Sequence, residues 1–299
     1  MIKILPKLIV ILGPTASGKT DLAVKLAKKF NGEIVSADSR QIYKEMNIGT
    51  AKPFKKELKS IPYHLIDIIN PKQKFNAAIY KKLALKSIEK ITQRGRTPFL
   101  AGGTGLYIQS ILDNMEFPIV PAQKNLRANL EKKTEKELFK IYKKLDLQGS
   151  KFIDGKNKRR LIRAIEVCKV TKKPFWQQRE KGEILFNALV LGIKLPEKES
   201  EKRIKTRVKK MLKLGLKKEV KKLVKKYGWK IQPLQTIGYQ EWQDYFNKKI
   251  SEEEIRKKII LRTLQFSKRQ MTWFKKDKRI KWIKNYKEAE KLIEKFFTQ

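Results

Sequence analysis

Short apolar runs and amphipathic stretches alternate along the first hundred residues. The runs that have the length of buried strands are residues 7–12, 33–37, 64–69 and 97–101. Apolar side chains recur at helical spacing over residues 21–30 and 75–91, whereas 39–61 has no clear period and is predicted to be a loop-rich lid or substrate segment. The alternation predicts an α/β fold, with a parallel sheet that carries helices on both faces and binds ligands at the carboxyl ends of its strands.

The pattern changes near residue 118. Residues 122–182 contain only helical patterns rich in Lys and Arg, and an apolar run returns at 188–195, as if the chain rejoined the sheet. A helical insertion within an α/β core explains this order. We therefore predict an α/β core formed by residues 1–117 and 186–299, with a helical insertion domain at 118–185.

The C-terminal third is predicted to be mainly helical. Long helical patterns cover residues 197–226 and 251–274, and Ser251 and Glu254 have the spacing of a capping box at the start of the second. A last strand is predicted at 279–283 and a closing helix at 287–297.

The composition is strongly basic, with 72 Lys and Arg against 30 Asp and Glu and a formal charge of +42. Such a field attracts nucleic acids. Only 14 of the 72 are Arg, and the Lys residues are spread along the whole chain, so a lysine-rich coding bias would give the same charge without a nucleic-acid partner. Charge alone leaves both interpretations open.

The cysteine and histidine content and the hydropathy argue against a disulfide-rich, zinc-binding or membrane-spanning protein. The single Cys168 and the single His64 can form neither a disulfide framework nor a Cys/His zinc site, which fits a reducing cytoplasm. The longest apolar run, residues 8–12, is too short for a membrane span. Pro6 interrupts the N-terminal apolar stretch, and no cleavage pattern follows it, so we expect a buried strand there rather than a signal peptide.

The strongest motif lies directly after the first predicted strand. Residues 13–20, Gly-Pro-Thr-Ala-Ser-Gly-Lys-Thr, match the P-loop pattern in full and open a predicted helix. Backbone amides of such a loop surround phosphate oxygens, the Lys adds a mobile charge and the Thr hydroxyl can hold Mg²⁺. The predicted phosphate-binding residues are Gly13, Thr15, Ala16, Ser17, Gly18, Lys19 and Thr20, with Thr20 as the Mg²⁺ ligand.

The P-loop leaves the identity of the phosphate compound open. A kinase or ATPase would also offer an apolar strand that ends in a Mg²⁺-supporting Asp, and Asp67 is a poor candidate for that role. Asp38 ends the second predicted strand beside the P-loop, where it suits either a metal-supporting acid or a general base.

Residues 36–53, Ser-Ala-Asp-Ser-Arg-Gln-Ile-Tyr-Lys-Glu-Met-Asn-Ile-Gly-Thr-Ala-Lys-Pro, together with the P-loop resemble the bacterial tRNA dimethylallyltransferases. Further matches lie at residues 64–67, 101–107, 157–166, 207–216, 237–241 and 268–274. The resemblance therefore covers nearly the whole chain. It departs at Phe266-Ser267, where the family pattern has Tyr-Ala.

The resemblance implies a reaction that does not use ATP. Dimethylallyl diphosphate would bind the P-loop through its diphosphate, and N6 of the adenosine 3′ to the tRNA anticodon would attack the allylic carbon. By the same resemblance Asp38 would accept the N6 proton, Thr104 would hydrogen-bond near the acceptor and Arg207 would contact the diphosphate. The alternatives are a loop-forming Asp for Asp38, a turn residue for Thr104 and a solvated helix residue for Arg207.

The target adenosine lies in a loop, so it can be turned out of the stack without melting a helix. Arg is scarce in this chain, yet three Arg residues fall within 159–163. The resemblance adds the segment after the second strand, and the predicted RNA-binding residues are Asp38, Ser39, Arg40, Gln41, Arg159, Arg160, Leu161, Ile162 and Arg163. A solvated cationic helix face is the alternative for the arginines. Core packing is expected for Trp176, Trp229, Trp242 and Trp273, with base stacking as the alternative for each.

We therefore expect a cytoplasmic, monomeric prenyltransferase with Mg²⁺ as cofactor and the tRNA anticodon stem-loop and dimethylallyl diphosphate as partners. Two other functions remain at this point. One is a P-loop kinase that acts on a small metabolite, and the other is an ATP-dependent nucleic-acid-binding module without transfer chemistry.

Overall fold

A computed structural model of the protein describes residues 5–53, 60–178 and 181–299. The chain divides into two compact units, one formed by Met1–Leu112 with Leu185–Gln299 and the other by Asp113–Ile184. Part of the predicted lid, residues 54–59, lies outside the described residues. None of the helices in the described ranges is long and apolar enough to cross a membrane.

The first unit is built on a parallel sheet. Its described strands are β1 Lys7–Leu12, β2 Gly32–Ala37, β3 Tyr63–His64, β4 Thr97–Gly102, β5 Asn187–Ile193 and β6 Lys281–Ile283. They lie in the order β3-β2-β4-β1-β5-β6, and every pairing is parallel. The predicted α/β class with a parallel sheet is therefore confirmed.

Helices cover both faces of this sheet. The α-helices that the structure describes in the first unit are α1 Lys19–Lys29, α2 Ala77–Gln93, α3 Gly105–Leu112, α8 Glu197–Lys213, α9 Leu216–Tyr227, α10 Trp242–Phe246, α11 Glu252–Phe274 and α12 Tyr286–Thr298. Side chains of β1 alternate between the faces: Leu8 packs in a cluster with Tyr80 of α2, and Ile9 in a cluster with Leu26 of α1 and Ile293 of α12. Because both faces of β1 are buried, its sequence is a continuous apolar run.

A third cluster joins α8, α9 and α11 to the segment after β2. Ile42 and Met46 of that segment are buried with Val208 of α8, Val220 of α9 and Ile259 of α11. The capping box predicted for α11 is present, since Ser251 and Glu254 bond each other's backbone amides. The segment after β2 is therefore fixed to the C-terminal helices, which matters for the site described below.

The second unit is helical. Its helices are α4 Lys124–Glu131, α5 Glu135–Leu145, α6 Leu147–Ser150 and α7 Lys158–Thr171, followed by a 3₁₀ turn at Trp176–Gln178. Its core contains Leu138, Tyr142, Leu161 and Ile165. Near its two ends, Gly182 N–H donates to the Asn114 carbonyl at 3.3 Å.

Three local predictions were wrong. The strand predicted at 64–69 ends at His64, because Leu65 and Asp67 adopt left-handed φ angles of 61° and 55° and the following amides bond the carbonyls of Gln41 and Ile42. The single helix predicted at 197–226 is two helices, α8 and α9, because Gly215 has φ 93° between them.

The third correction concerns the tryptophans. Trp242 is fully buried, as expected, but Trp176 and Trp273 are 42% and 40% exposed, so core packing does not describe them.

Candidate active site

The register of the sheet places the last residues of β1, β2 and β4 side by side, so the loops that follow these strands begin at the same edge. Gly102 of β4 is paired with both Leu12 at the end of β1 and Ala37 at the end of β2. A side chain at Gly102 would collide with the Ala37 carbonyl, so the strands can approach this closely only with glycine there. The P-loop, Asp38 and the Gly103–Thr104 turn therefore leave the sheet side by side.

The P-loop runs from the end of β1 into α1. Ala16 and Gly18 have φ angles of 62° and 87°, and the α1 N-terminus has no side-chain cap, so its first amides are available to an anion. The Ser17 hydroxyl is buried and lacks a hydrogen-bond partner within the described residues. The curved backbone, the uncapped helix and the unpaired hydroxyl fit a phosphate group.

Lys19 is partly buried at this edge, and its Nζ donates to the Pro14 carbonyl at 3.2 Å. Burial lowers the pKa of Lys19 to about 8; the negative charge of Asp38 opposes this shift, and the positive charge of Arg207 adds to it. Without an anion, the cost of burying the ammonium group is therefore only partly offset. A diphosphate beside Lys19 would stabilise its charged form.

Asp38 follows β2. Its Oδ1 accepts hydrogen bonds from Arg40 N–H at 2.8 Å and from Gln41 N–H at 3.4 Å. The loop-forming role that the sequence allowed for Asp38 is therefore present. It occupies one carboxylate oxygen and does not compete with a chemical role of the other. Asp38 also lines a cavity of about 330 Å³.

Thr104 connects the loops after β2 and β4. Its Oγ1 accepts from Ser39 N–H at 3.0 Å and lies 3.3 Å from Ser39 Oγ, while its own N–H donates to the Ala37 carbonyl at 3.0 Å. Thr104 thus holds Ser39, the residue after Asp38, and itself lines the cavity.

Arg207 reaches the site from α8, about 170 residues beyond Asp38 in the chain. Its Nη2 donates to the Thr50 carbonyl at 3.4 Å. Burial lowers the pKa of Arg207, while the charge of Asp38 acts in the opposite direction. Arg207 is partly buried, and within the described residues its hydrogen bond goes to a carbonyl, so its guanidinium is a suitable partner for an anionic substrate.

One cavity of about 330 Å³ receives these groups. Its polar lining includes Thr15, Lys19, Thr20, Asp38, Ser39, Arg40, Gln41, Thr104 and Arg207. Its apolar lining includes Ala51, Val208, Met211, Ile237, Ile259 and Phe266. Gly13, Ala16, Ser17 and Gly18 form the P-loop backbone without lining the cavity, and Asp67, which pairs with Lys52, is also outside it.

Sequence reasoning missed two residues that shape this cavity. Gln270 of α11 accepts from Thr15 N–H at 2.8 Å and donates to the Gly103 carbonyl at 2.7 Å, so it joins two of the three loops. Glu219 of α9 accepts from the amides of Asn47, Ile48 and Gly49. Gln270 lies in the 268–274 motif, which was a usable signal, whereas Glu219 is one acid within a lysine-rich helix and carried none.

The predicted RNA-binding residues of the insertion have different surroundings. Arg159 is exposed at the first turn of α7, and Arg160 is partly exposed. Leu161 and Ile162 are 0% and 3% exposed, with their side chains in the unit's core, and their place among the RNA-binding residues stays a prediction. Arg163 pairs with Glu166 at 2.7 Å and donates to the Val120 carbonyl, which gives it a structural role.

Glu166 accepts hydrogen bonds from Arg163, Arg127 and the Gln123 amide. Burial raises the pKa of this carboxyl, but hydrogen bonds from Arg127, the Gln123 amide and Arg163 outweigh burial and lower the pKa to about 2. Glu166 therefore stays ionised and ties α4 to α7 within the insertion.

Comparison with known proteins indicates which family the chain belongs to. The family model for IPP transferase matches residues 41–277. The chain belongs to the IPP transferase family. It is also 40% identical over 302 residues to a tRNA dimethylallyltransferase from Carboxydothermus hydrogenoformans, across 98% of this chain and 97% of that protein. The chemistry of this family is prenyl transfer.

Two solved structures share the fold of this family member. One is the crystal structure of a tRNA isopentenylpyrophosphate transferase from Staphylococcus epidermidis, with TM-score 0.71, 37% identity and coverage of 98% of this chain and 99% of that one. The other is a eukaryotic dimethylallyltransferase captured acting on tRNA, with TM-score 0.78, 26% identity and coverage of 90% and 69%. Both span the P-loop sheet and the helical insertion of the present chain.

Proposed function

We propose that the protein transfers a dimethylallyl group from dimethylallyl diphosphate to N6 of the adenosine 3′ to the anticodon of tRNA, releasing diphosphate. The observation that carries this proposal is the convergence of Lys19, Asp38 and Arg207 on one cavity with a partly apolar wall. Two cations suit a diphosphate, the apolar wall suits a hydrocarbon tail, and the carboxylate suits an amine that must lose a proton.

The reaction balances with these groups alone. N6 forms a bond to C1 of the allylic donor, the C1–O bond breaks and diphosphate leaves with the electron pair. The proton lost by N6 passes to the Asp38 carboxylate. A positioned base of this kind is typically worth about 10²–10⁴ in rate. Lys19, Arg207 and the P-loop amides stabilise the charge that develops on the leaving diphosphate.

Thr20 lines the cavity, and its hydroxyl suits Mg²⁺. No cluster of three or more His, Cys, Asp or Glu side chains that could hold a metal occurs among the residues that the structure describes. This sparse set fits Mg²⁺, which protein sites usually bind through one or two side chains together with substrate phosphates and water. When bound, Mg²⁺ would supply positive charge to the diphosphate; the chain's own contribution is the Thr20 hydroxyl.

The RNA side of the proposal rests on different residues. Ser39, Arg40 and Gln41 line the cavity beside Asp38, where the extruded nucleotide would lie. Arg159 and Arg160 of the insertion supply exposed charge for the phosphate backbone. We expect the protein to act in the cytoplasm, where mature tRNA is found.

One experiment tests the proposal. The protein is incubated with anticodon stem-loop RNA and either dimethylallyl diphosphate labelled in the allylic group or labelled ATP. Label should enter the RNA from the allylic donor only. Consumption of ATP without labelling of the RNA would overturn the proposal in favour of a kinase or ATPase.

The role of Asp38 is tested with the isosteric variant Asp38→Asn, which keeps an oxygen for the Arg40 and Gln41 amides. Turnover should fall by about 10²–10⁴ while the RNA dissociation constant stays within about threefold. The matched control Asp277→Asn changes a carboxylate that does not line the cavity. Equal turnover of Asp38→Asn and the control would remove Asp38 as the base.

A further inference from the structure

Two large aromatic side chains lie stacked on the surface of the insertion. The ring centroids of Phe152 and Trp176 are 4.5 Å apart, and the ring planes are 15° from parallel. Phe152 is 60% exposed and Trp176 is 42% exposed. The mutual contact therefore leaves a large part of both rings in solvent, which is unusual for side chains of this size.

The backbone under both rings is fixed by one buried carboxylate. Asp146 is 3% exposed, and its Oδ2 accepts from Trp176 N–H at 2.8 Å and from the Tyr142 hydroxyl at 2.8 Å. Its Oδ1 accepts from Gly149 N–H at 2.7 Å, and the Gly149 carbonyl in turn accepts from Phe152 N–H at 3.1 Å. The two aromatic residues are thus held by the same hydrogen-bonded group although they are 24 positions apart.

The C-terminal side of Trp176 is held as well. Gln178 Nε2 donates to Thr171 Oγ1 at 2.8 Å and to the Lys173 carbonyl at 2.9 Å. A ring pair on a fixed backbone loses little conformational freedom when it binds a ligand, which is the property of a preformed site.

The surroundings of the pair are basic. Lys151, Lys172 and Lys173 are exposed and adjacent in sequence to the two aromatic segments. Residues 113–184 as a whole contain 19 Lys and Arg against 10 Asp and Glu. Aromatic faces among cations favour single-stranded nucleic acid, whose bases stack while its phosphates pair with the charges. A protein partner would favour an apolar patch with fewer surrounding charges.

We propose that Phe152 and Trp176 form a platform on which the enzyme stacks an unpaired nucleobase of its RNA substrate. The platform rests on the proposed function, because it requires that RNA is the acceptor. It is separate from the cavity that receives the target adenosine, since both aromatic residues belong to the insertion unit and neither lines that cavity.

The test measures binding of anticodon stem-loop RNA to the full-length protein over a series of salt concentrations. Trp176→Ala should weaken binding by about 5- to 100-fold, the range expected for one stacked base. The slope of log affinity against log salt should remain that of the wild type, because stacking releases no counterions. The comparison variant Arg159→Ala should instead lower the magnitude of the slope by about 0.7–0.9.

Two further variants separate stacking from a general loss of structure. Trp176→Phe keeps an aromatic face and should bind within about threefold of the wild type. Phe297→Ala removes a similarly exposed aromatic side chain from α12 and should leave RNA affinity unchanged. In steady-state assays Trp176→Ala should raise the KM for RNA by more than it lowers kcat.

The results distinguish the platform from the proposed function. If the wild type neither binds nor prenylates the RNA, both proposals fail. If the wild type does both and Trp176→Ala binds equally well, the platform alone is overturned. Loss of self-association in Trp176→Ala, with RNA binding retained, would also overturn it, in favour of a protein contact.

Discussion

The carboxylate of Glu219 accepts a hydrogen bond from the phenol of Tyr239 at 2.7 Å. The same carboxylate accepts from the amides of residues 47–49 at 2.8–3.0 Å, and the ring of Tyr239 lies where a side chain at Gly49 would be. The loop that carries Thr50 and Ala51 into the cavity wall is therefore held from α9 by one acidic side chain.

Replacement of Glu219 by Gln should loosen this loop. The amide offers one acceptor oxygen for four donors, and hydrogen bonds to a charged group are each worth about 1.5–3 kcal/mol. We expect the free energy of unfolding in urea to fall by about 2 kcal/mol and the KM for dimethylallyl diphosphate to rise more than kcat falls. Glu252→Gln, at an exposed ion pair with Lys217, is the control and should change neither quantity measurably.

Gln270 offers a second test of how the cavity is held together. In Gln270→Glu one oxygen can still accept from Thr15 N–H, but the donor to the Gly103 carbonyl is replaced by a negative oxygen. We expect the affinity for inorganic diphosphate, measured by calorimetry, to fall at least about tenfold because of this repulsion and the added charge beside the P-loop. The exposed Gln243→Glu adds the same charge on the surface and should keep wild-type affinity.

The pKa of Lys19 gives a pH prediction. Lysine is charged below its pKa, and the free-enzyme value is about 8. The kcat/KM for the allylic donor should therefore be level just below pH 8 and fall about tenfold per unit above it, since that parameter reports the free enzyme. Lys19→Arg retains the charge to higher pH, so its lower activity should lack this decline. A decline that persists unchanged in Lys19→Arg would assign it to another group.

Glu166 gives a prediction for acid stability. Its pKa in the folded protein is about 2, below the ordinary 4.5, so its contribution to stability is present above pH 4.5 and is lost as the pH falls toward 2. Glu166→Gln should lower the free energy of unfolding by roughly 3 kcal/mol at pH 6. The difference between variant and wild type should shrink as the pH falls below 4.5; a constant difference would contradict the assignment.

Much of the fold could be predicted from the sequence because the spacing of apolar residues distinguishes most strands from helices. The apolar runs at β1, β2 and β4 are each followed by a turn residue, and the P-loop marks where the first helix begins. The strand predicted at 64–69 was wrong because its four apolar residues, Leu65, Ile66, Ile68 and Ile69, suit a strand, whereas hydrogen bonds to the carbonyls of residues 41 and 42 turn the backbone. Propensity carries no information about such distant partners.

The residues of the site also fall into those that the sequence could predict and those that it could not. Lys19, Asp38 and Thr104 follow strands of one parallel sheet, so their proximity follows from the topology. Gln270 and Glu219 lie more than 165 residues beyond the loop residues that they bond, Gly103 and residues 47–49, and only the packing of α11 and α9 brings them there. Phe152 was missed, and core packing was expected for Trp176 ahead of base stacking, because the exposure of an aromatic side chain cannot be read from its identity.

The position of β1 in the sheet has a consequence for synthesis. Its neighbours are β4, which precedes the insertion, and β5, which follows it. A nascent chain that stops within the insertion therefore presents one bare edge of a strand whose residues 8–12 are at most 1% exposed in the finished protein. Unpaired apolar edges of this kind promote aggregation. We expect ribosome-bound chains of this length to recruit chaperones until Asn187–Ile193 has been translated.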